Sequence, residues 1–147
     1  MKIVIQRSLE SSVKVNNKIV GYIDRGLVIL VGFTDGDNEL IIDKMINKIL
    51  SLRIFDDEDG VMNKSIIDLG GSILSISQFT LYADTKKGRR PSYIHAMARE
   101  EATKLYDLFN EKLSKLINVE TGIFGADMKV SITNDGPVTI IIESEDL

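Results

Sequence analysis

Residues Gly26–Phe33 read GLVILVGF, and this stretch decides the fold class. Branched aliphatic residues favour β-structure, and an apolar run without polar alternation is typical of a strand that is buried on both faces. Before it, apolar and polar residues alternate around Ile3–Ile5 and Val13–Val15, and Asn16-Asn17 is suited to a two-residue hairpin turn. The first third of the chain therefore predicts antiparallel strands around one central strand.

Two later segments carry helical spacing. Apolar residues between Ile41 and Leu50 recur every three or four positions, with Asp37 as the predicted N-cap, and a second helix is predicted to begin near residues 96–101 and to continue towards Ile117. Further strands are predicted at Ser72 to about Thr80, at Lys129–Thr133 and at Val138–Glu143.

Hairpin strands combined with two main helices predict an α+β fold with a curled, barrel-like and mainly antiparallel sheet, rather than a doubly wound α/β fold. The chain shows no internal repeat and no linker-like change in composition, so we expect a single domain over residues 1–147.

The composition excludes several classes of protein. The 147 residues include no cysteine and one histidine, which excludes disulfide frameworks and cysteine nucleophiles and makes a transition-metal site improbable. No carboxylate is obviously placed to orient His95, and no phosphate-binding glycine motif is present. We therefore expect no metal and no cofactor. Apolar runs are too short to span a bilayer and no signal-peptide pattern is seen, so we expect a cytoplasmic protein without membrane contact.

The first candidate site is the segment Ser77–Thr80 (SQFT). If the preceding strand continues with period two, the face carrying Leu74 and Ile76 leads directly into Gln78 and Thr80. These polar groups either bond neighbouring backbone or line a pocket that opens at the end of the strand and holds a polar substrate.

Two further segments stand out. Asn134–Thr139 (NDGPVT) reads as a hairpin turn, and Gly136 before Pro137 permits a cis peptide bond. Lys86, Lys87, Arg89 and Arg90 form the densest positive cluster of a chain whose net charge is −4. This cluster is either a solvated loop or a contact for phosphate groups.

Taken together, these segments resemble the D-aminoacyl-tRNA deacylases, also called the D-tyrosyl-tRNA deacylase family. The resemblance extends over the whole chain and rests on two main motifs, Ser77–Asp84 (SQFTLYAD) and Asn134–Thr139 (NDGPVT). Supporting matches occur in order at Gln6-Arg7, Leu52–Phe55, Lys87–Ser92, Glu120–Gly122 and Phe124–Met128. The resemblance implies hydrolysis of the ester that joins a D-amino acid to the 3′-terminal adenosine of tRNA, with glycyl-tRNA as a further substrate.

The resemblance also implies a homodimer with active sites at the subunit interface. Gly136-Pro137 of one subunit, as a cis peptide, would enter the other subunit's pocket and reject L-amino acids through a steric clash, and Arg7 would brace that loop. The pocket would be lined by Ser77, Gln78, Phe79 and Thr80. With aminoacylated tRNA as the partner, we expect Lys86, Lys87, Arg89 and Arg90 to contact phosphates.

Thr80 occupies the position traditionally assigned as the nucleophile in this family. A threonine hydroxyl needs an adjacent base to be activated, and the sequence offers no obvious one. We therefore hypothesise that main-chain donors near Phe79 and Thr80 stabilise the oxyanion, that a substrate hydroxyl assists, and that Thr80 positions rather than attacks.

Two alternatives remain open. The chain could be a non-catalytic module that binds and shelters the aminoacylated 3′ end of tRNA, or a general hydrolase of small esters. The absence of a catalytic triad disfavours the second alternative.

Overall fold

The structure is a computed structural model that describes residues 1–147 and contains ten β-strands and three α-helices. The strands are β1 (Lys2–Ser8), β2 (Ser11–Val15), β3 (Lys18–Ile23), β4 (Gly26–Gly32), β5 (Phe55–Asp56), β6 (Met62–Lys64), β7 (Ser72–Ser77), β8 (Asn118–Thr121), β9 (Lys129–Ser131) and β10 (Asn134–Glu143). The α-helices are α1 (Glu39–Ser51), α2 (Ile66–Leu69) and α3 (Arg99–Ser114), and short 3₁₀ turns lie at Phe79–Tyr82 and Ser144–Asp146.

The apolar stretch predicted to be central is the middle strand of the largest sheet. That sheet has the order β10-β1-β4-β7-β8, in which β4 pairs antiparallel with β1 and parallel with β7. Leu27 and Ile29 pack into the core that contains the helices, whereas Val28 packs into a second cluster on the opposite face. The prediction of a strand buried on both faces is confirmed.

Helices cover one face of this sheet, and a small sheet covers part of the other. On the helical face, α1 and α3 bury Met45, Tyr106 and Phe109 against β1 and β4. On the other face, the sheet with order β3-β2-β9 contributes Val13 and Ile23. The fold is therefore a single α+β domain with mainly antiparallel sheets, as predicted. The sheets are not closed, which is consistent with the predicted curled, barrel-like arrangement, and β4, β7 and β8 run parallel to one another.

The structure corrects the predicted start of the first helix. The N-cap of α1 is Asn38, whose side chain accepts a hydrogen bond from the Ile41 N–H, and not Asp37. The Asp37 carboxylate accepts a hydrogen bond from the Thr34 N–H at 2.8 Å and pairs with the amino group of Met1. The predicted hairpin turn is confirmed, because Asn16 and Asn17 have φ values of 49° and 62° and join β2 to β3. None of the helices has the length and apolar character needed to cross a membrane.

Candidate active site

The first candidate segment begins where β7 ends. The Gln78 N–H donates the last hydrogen bond to β4, to the Val31 carbonyl at 2.7 Å, and the chain then turns into the 3₁₀ segment Phe79–Tyr82. The strand therefore stops at Ser77 and not near Thr80 as predicted. Because the period-two pattern ends there, Gln78 and Thr80 do not continue the face that carries Leu74 and Ile76.

The turn after β7 leaves main-chain donors free. The N–H groups of Phe79 and Thr80 have no acceptor within the chain, whereas the Leu81 N–H bonds back to the Gln78 carbonyl at 3.3 Å. The first N–H groups of any helical turn lack an internal partner, and of these two residues Phe79 is exposed and Thr80 is half-buried. They are therefore available to an oxygen atom of a bound molecule.

The side chains of the turn are held to each other. The Gln78 amide Nε2 donates to Thr80 Oγ1 at 2.5 Å. An amide nitrogen donates hydrogen bonds and does not accept a proton, so Gln78 orients the Thr80 hydroxyl without activating it.

A cavity of about 570 Å³ opens beside this turn. Its lining is mostly apolar and comprises Ile76, Ser77, Gln78, Phe79, Tyr93, Ala96, Met97, Arg99, Ala102, Phe124, Gly125, Ala126, Met128 and Val130. Three of the four predicted residues, Ser77, Gln78 and Phe79, are thus on its wall, and Thr80 lies next to it. Apolar and aromatic walls with a few polar groups are the common composition of small-molecule sites.

Aromatic contacts shape the cavity wall. The Phe79 and Tyr93 rings meet edge to face with centroids 5.0 Å apart, and Phe124 lies 5.6 Å from the ring of Tyr106. The Tyr106 hydroxyl donates to the Ser75 carbonyl at 2.8 Å, and burial raises the pKa of Tyr106. The phenol therefore keeps its proton and ties α3 to β7 beneath the cavity.

The second candidate segment is a bulge and not a hairpin turn. Gln6 pairs with Thr139 but Ser8 pairs with Asn134, so residues 135–138 leave the ladder between β1 and β10. The predicted hairpin between β9 and β10 is wrong, because β9 pairs with β2 in the other sheet. The Gly136-Pro137 peptide bond is cis, and both residues are exposed.

Arg7 holds this bulge, hereafter the Gly-Pro bulge (residues 135–138), from the neighbouring strand. Its guanidinium is buried, donates from Nε to the Asp135 carbonyl at 3.1 Å and from Nη1 to the Ile54 carbonyl at 2.9 Å, and pairs with the Asp135 carboxylate at 3.3 Å. Gly136 has φ 125°, and a Cβ there would lie 3.1 Å from Arg7 Nη2 and 2.8 Å from Val138 Cγ2. The bulge therefore requires glycine at this position.

The Gly-Pro bulge and the turn after β7 lie far apart in one chain. Ser77 pairs with Val31 of β4, and Val31 pairs with Ile3 of β1, so the turn after β7 lies near the Ile3 end of β1. The bulge instead lies opposite Arg7, at the other end of β1. The distance along β1 from residue 3 to residue 7 is roughly 13 Å. The distance across the sheet from β10 to β7, which spans three strand spacings, is roughly 14 Å. The two predicted halves of the site do not meet within one chain.

The basic cluster lies in an exposed loop, hereafter the basic loop (residues 86–90). The loop is closed by backbone pairing between Asp84 and Ser92, and none of its four cations is within ion-pair distance of a carboxylate. His95 is also exposed, and its Nε2 lies 4.0 Å from Asp84 Oδ2, so a carboxylate that sequence reasoning did not identify faces this histidine. No group of three or more His, Asp or Glu side chains is arranged to hold a metal ion.

Sequence reasoning missed most of the cavity wall. Tyr93, Met97 and Arg99 come from the segment before α3 and its first residue, and Phe124 and Met128 come from the connection between β8 and β9. The only sequence signal for the latter was the Phe124–Met128 match in the family resemblance, which assigned it no role.

Comparison with solved structures places the fold in a known class. The chain matches the structure of a c-Myc DNA unwinding element binding protein with a TM-score of 0.92 and 41% sequence identity over 97% of this chain and 98% of that one. It also matches a probable eukaryotic D-amino acid tRNA deacylase with a TM-score of 0.82 and 20% identity over 96% and 97% of the two chains. At 20% identity, the second likeness shows the shared α+β fold alone.

The family follows from the sequence itself. The family model described as D-Tyr-tRNA(Tyr) deacylase matches residues 4–143, so the chain belongs to that family. It is an enzyme of the hydrolase class, a D-aminoacyl-tRNA deacylase.

Proposed function

We propose that the chain hydrolyses the ester bond of D-aminoacyl-tRNA, and also of glycyl-tRNA, and rejects L-aminoacyl-tRNA. The observation that carries this proposal is the pair of unpartnered N–H groups at Phe79 and Thr80, which lies at the edge of an apolar cavity in a chain of this family. The products are free tRNA and a free amino acid, and a reaction on tRNA fits a protein of the cytoplasm.

The cavity is suited to the terminal adenosine of tRNA. Its volume of about 570 Å³ falls within the usual range for ligand sites, and Phe79, Tyr93 and Phe124 offer aromatic surfaces to a base. With the base between these walls, the ribose lies at the mouth of the cavity. Its aminoacyl ester then faces the turn after β7.

In the reaction, a water molecule attacks the ester carbonyl carbon and negative charge develops on the carbonyl oxygen. The N–H groups of Phe79 and Thr80 stabilise that oxygen, because donors that the backbone already holds in place cost no reorganisation. The bond to the ribose oxygen then breaks, and that oxygen takes the proton released by the water. The neighbouring ribose hydroxyl orients the water, while Gln78 and Thr80 position the ester through their mutual hydrogen bond.

The Gly-Pro bulge of a second subunit supplies the chiral selection. Its exposed backbone, fixed by Arg7, occupies the space where an L side chain would project, so L-esters are excluded by a clash. A site built this way does not require a D side chain. It therefore accepts glycine, which has no side chain to exclude.

A homodimer follows from the same proposal. Because the Gly-Pro bulge and the turn after β7 lie at opposite ends of β1, they can act on one substrate only if they come from two chains. Two features of β10 support such an interface: β10 is an edge strand, and its Ile141 is 63% exposed.

The basic loop binds the sugar-phosphate backbone of the tRNA. Its four cations have no carboxylate partners, and the loop closes within fifteen residues of Ser77. A local patch of this kind compensates for the unfavourable net charge of −4.

A binding module without turnover is the alternative function. A relative with 41% identity is named for binding a DNA unwinding element, and the basic loop could contact either nucleic acid. Such a module would bind nucleic acid but would not release more amino acid than the protein present, whereas the enzyme turns over substrate in excess.

The proposal is tested with D-tyrosyl-tRNA and L-tyrosyl-tRNA prepared from the same tRNA, in excess over metal-free protein. Rapid loss of the D-ester with the L-ester spared is expected. If neither ester is cleaved, the deacylase proposal is wrong and the binding module is favoured. Equal cleavage of both would show that the Gly-Pro bulge does not select chirality.

A further inference from the structure

Arg99, the first residue of α3, lies against the backbone of Gly125 at the cavity wall. A Cβ built on Gly125 would overlap Arg99 Nη2 and would lie 2.8 Å from Cζ and 3.1 Å from Nε. The guanidinium therefore occupies the space that a side chain at residue 125 would take. Gly125 has φ 74°, so its backbone conformation also favours glycine.

The structure gives this cation no partner of its own. No carboxylate lies within ion-pair distance of Arg99, and the adjacent Glu100 pairs with Lys104 at 3.2 Å. A cation at the first position of a helix also destabilises the helix, because the N-terminal end of the helix dipole is itself positive. At the other end of the same helix, Lys112 shows the usual arrangement and pairs with Glu39 and Asp43.

Arg99 also connects two concave surfaces. It lines the cavity beside the turn after β7, and it lines a shallower groove formed with Glu100, Thr103 and Lys104. A molecule whose apolar part fills the cavity and whose chain continues into the groove must pass the guanidinium.

We propose that Arg99 is a substrate-binding residue that holds the phosphodiester joining the terminal adenosine to the preceding nucleotide. This inference rests on the proposed function and names a contact of the same site. Among the groups of the substrate near the cavity, the phosphate is the one that a guanidinium attracts. In an aminoacyl ester the carboxyl group is uncharged and the amino group is cationic, so the 5′-phosphate is the only anion attached to the terminal adenosine. A planar guanidinium can donate two parallel hydrogen bonds to it.

The test compares two small substrates, 3′-O-(D-tyrosyl)adenosine with and without a 5′-phosphate. For the unchanged protein, the phosphate is expected to improve kcat/KM about tenfold, which is the usual magnitude for one charge-assisted hydrogen bond. The phosphate should lower KM and leave kcat nearly unchanged, because it lies away from the reacting ester. Arg99→Gln is expected to abolish the gain, and Arg99→Lys to restore part of it.

Two further variants serve as controls. Lys115→Gln removes an exposed cation at the other end of the same helix, away from both surfaces, and is expected to keep the tenfold gain. Gly125→Ala is expected to lose the gain although Arg99 is still present, provided that its thermal unfolding shows an intact fold. The inference is overturned if Arg99→Gln keeps the phosphate gain, or if it weakens both substrates equally, as stacking of Arg99 on the base would predict.

A binding measurement separates this inference from the deacylase proposal. Isothermal titration with 5′-AMP and with adenosine needs no hydrolysis, and the phosphate is expected to tighten binding to the unchanged protein but not to Arg99→Gln. If the unchanged protein cleaves no D-ester, the deacylase proposal fails, and the two titrations still decide the role of Arg99.

Discussion

The turn after β7 follows the end of one strand of the central sheet, the Gly-Pro bulge interrupts another strand of that sheet, β10, and the two regions differ in the hydrogen bonds that their backbone groups make. The N–H groups of Phe79 and Thr80 have no acceptor in the chain. In the bulge, the Val138 N–H bonds to the Asn134 side chain at 3.1 Å and the Asp135 carbonyl accepts from Arg7. The first region is therefore open to a ligand, and the second is fixed by its own contacts.

Under the proposed function, this difference suits the two regions to different tasks. Free donors can stabilise a charge that appears only during a reaction, whereas a fixed backbone can exclude a shape. Substitutions that change one region at a time should therefore alter rate and selectivity separately.

The largest effect is expected when a main-chain donor is removed. Phe79→Pro deletes the N–H group but keeps a backbone suited to the first position of a helical turn. We expect the single-turnover rate on D-tyrosyl-tRNA to fall about 100- to 1,000-fold, the usual loss for one oxyanion donor. Phe79→Ala is the matched control, because it removes the ring and keeps the N–H. Equal maximal rates for the two variants would contradict the oxyanion role.

A substitution in the Gly-Pro bulge is expected to change the selectivity between D- and L-esters strongly and the rate on the D-ester little. Gly136→Ala introduces a Cβ that would approach Val138 and Arg7, so the bulge must shift. We expect hydrolysis of the L-ester to rise about 100-fold, as if about 3 kcal/mol of exclusion were removed, while the D-ester rate stays nearly constant. Gly60→Ala, at an exposed glycine with φ 76° and open space around it, is the control. An unchanged ratio of D- to L-ester rates in a folded Gly136→Ala protein would remove the bulge from chiral selection.

Substitutions in the basic loop are expected to have a smaller effect, and only on substrates that carry a whole tRNA. Replacement of Lys86, Lys87, Arg89 and Arg90 by Gln should weaken tRNA binding and flatten its salt dependence by about 0.7 to 0.9 in log–log slope for each phosphate that is no longer neutralised. A variant with Gln at the exposed lysines Lys14, Lys18, Lys44 and Lys48 loses the same charge and serves as the control. Equal salt slopes in the two variants would identify the loop as a solvated surface.

The smallest effect is expected from Thr80→Ala. If Thr80 only positions the ester, the single-turnover rate should fall about fivefold, the cost of one neutral hydrogen bond. A rate loss of many orders of magnitude with tRNA binding intact would instead show that the Thr80 hydroxyl attacks the ester.

The elements that were predicted correctly are those whose sequence signals are local. The apolar run at Gly26–Gly32, the paired asparagines Asn16-Asn17 and the periodic faces of α1 and α3 each lie within a few consecutive residues. Such patterns reflect burial and backbone preference, which short segments carry by themselves.

The errors arose where distant segments decide the structure. Asn134–Thr139 has the composition of a turn, but its partner is β1 at the other end of the chain, and pairing with β1 converts it into a bulge. The chain after Ser77 forms the 3₁₀ segment where an extended strand was predicted. The cavity wall likewise combines segments that are distant in sequence, one before α3 and one after β8. Motif resemblance could indicate the two candidate segments, but only the folded chain shows that they lie at opposite ends of β1.

The claim that one chain's bulge serves another chain's cavity is tested most directly in a heterodimer. One chain carries Phe79→Pro and the other carries Gly136→Ala, and the mixed dimer is isolated through two different affinity tags. If the site is shared between chains, one site combines both changes and the other has none. A shared site therefore predicts about half the normal rate on the D-ester with full rejection of the L-ester. A heterodimer that cleaves the L-ester at about half the rate of the Gly136→Ala homodimer would show that each bulge serves its own chain, because one of its two sites would then combine an intact turn with an altered bulge, and it would contradict a shared site.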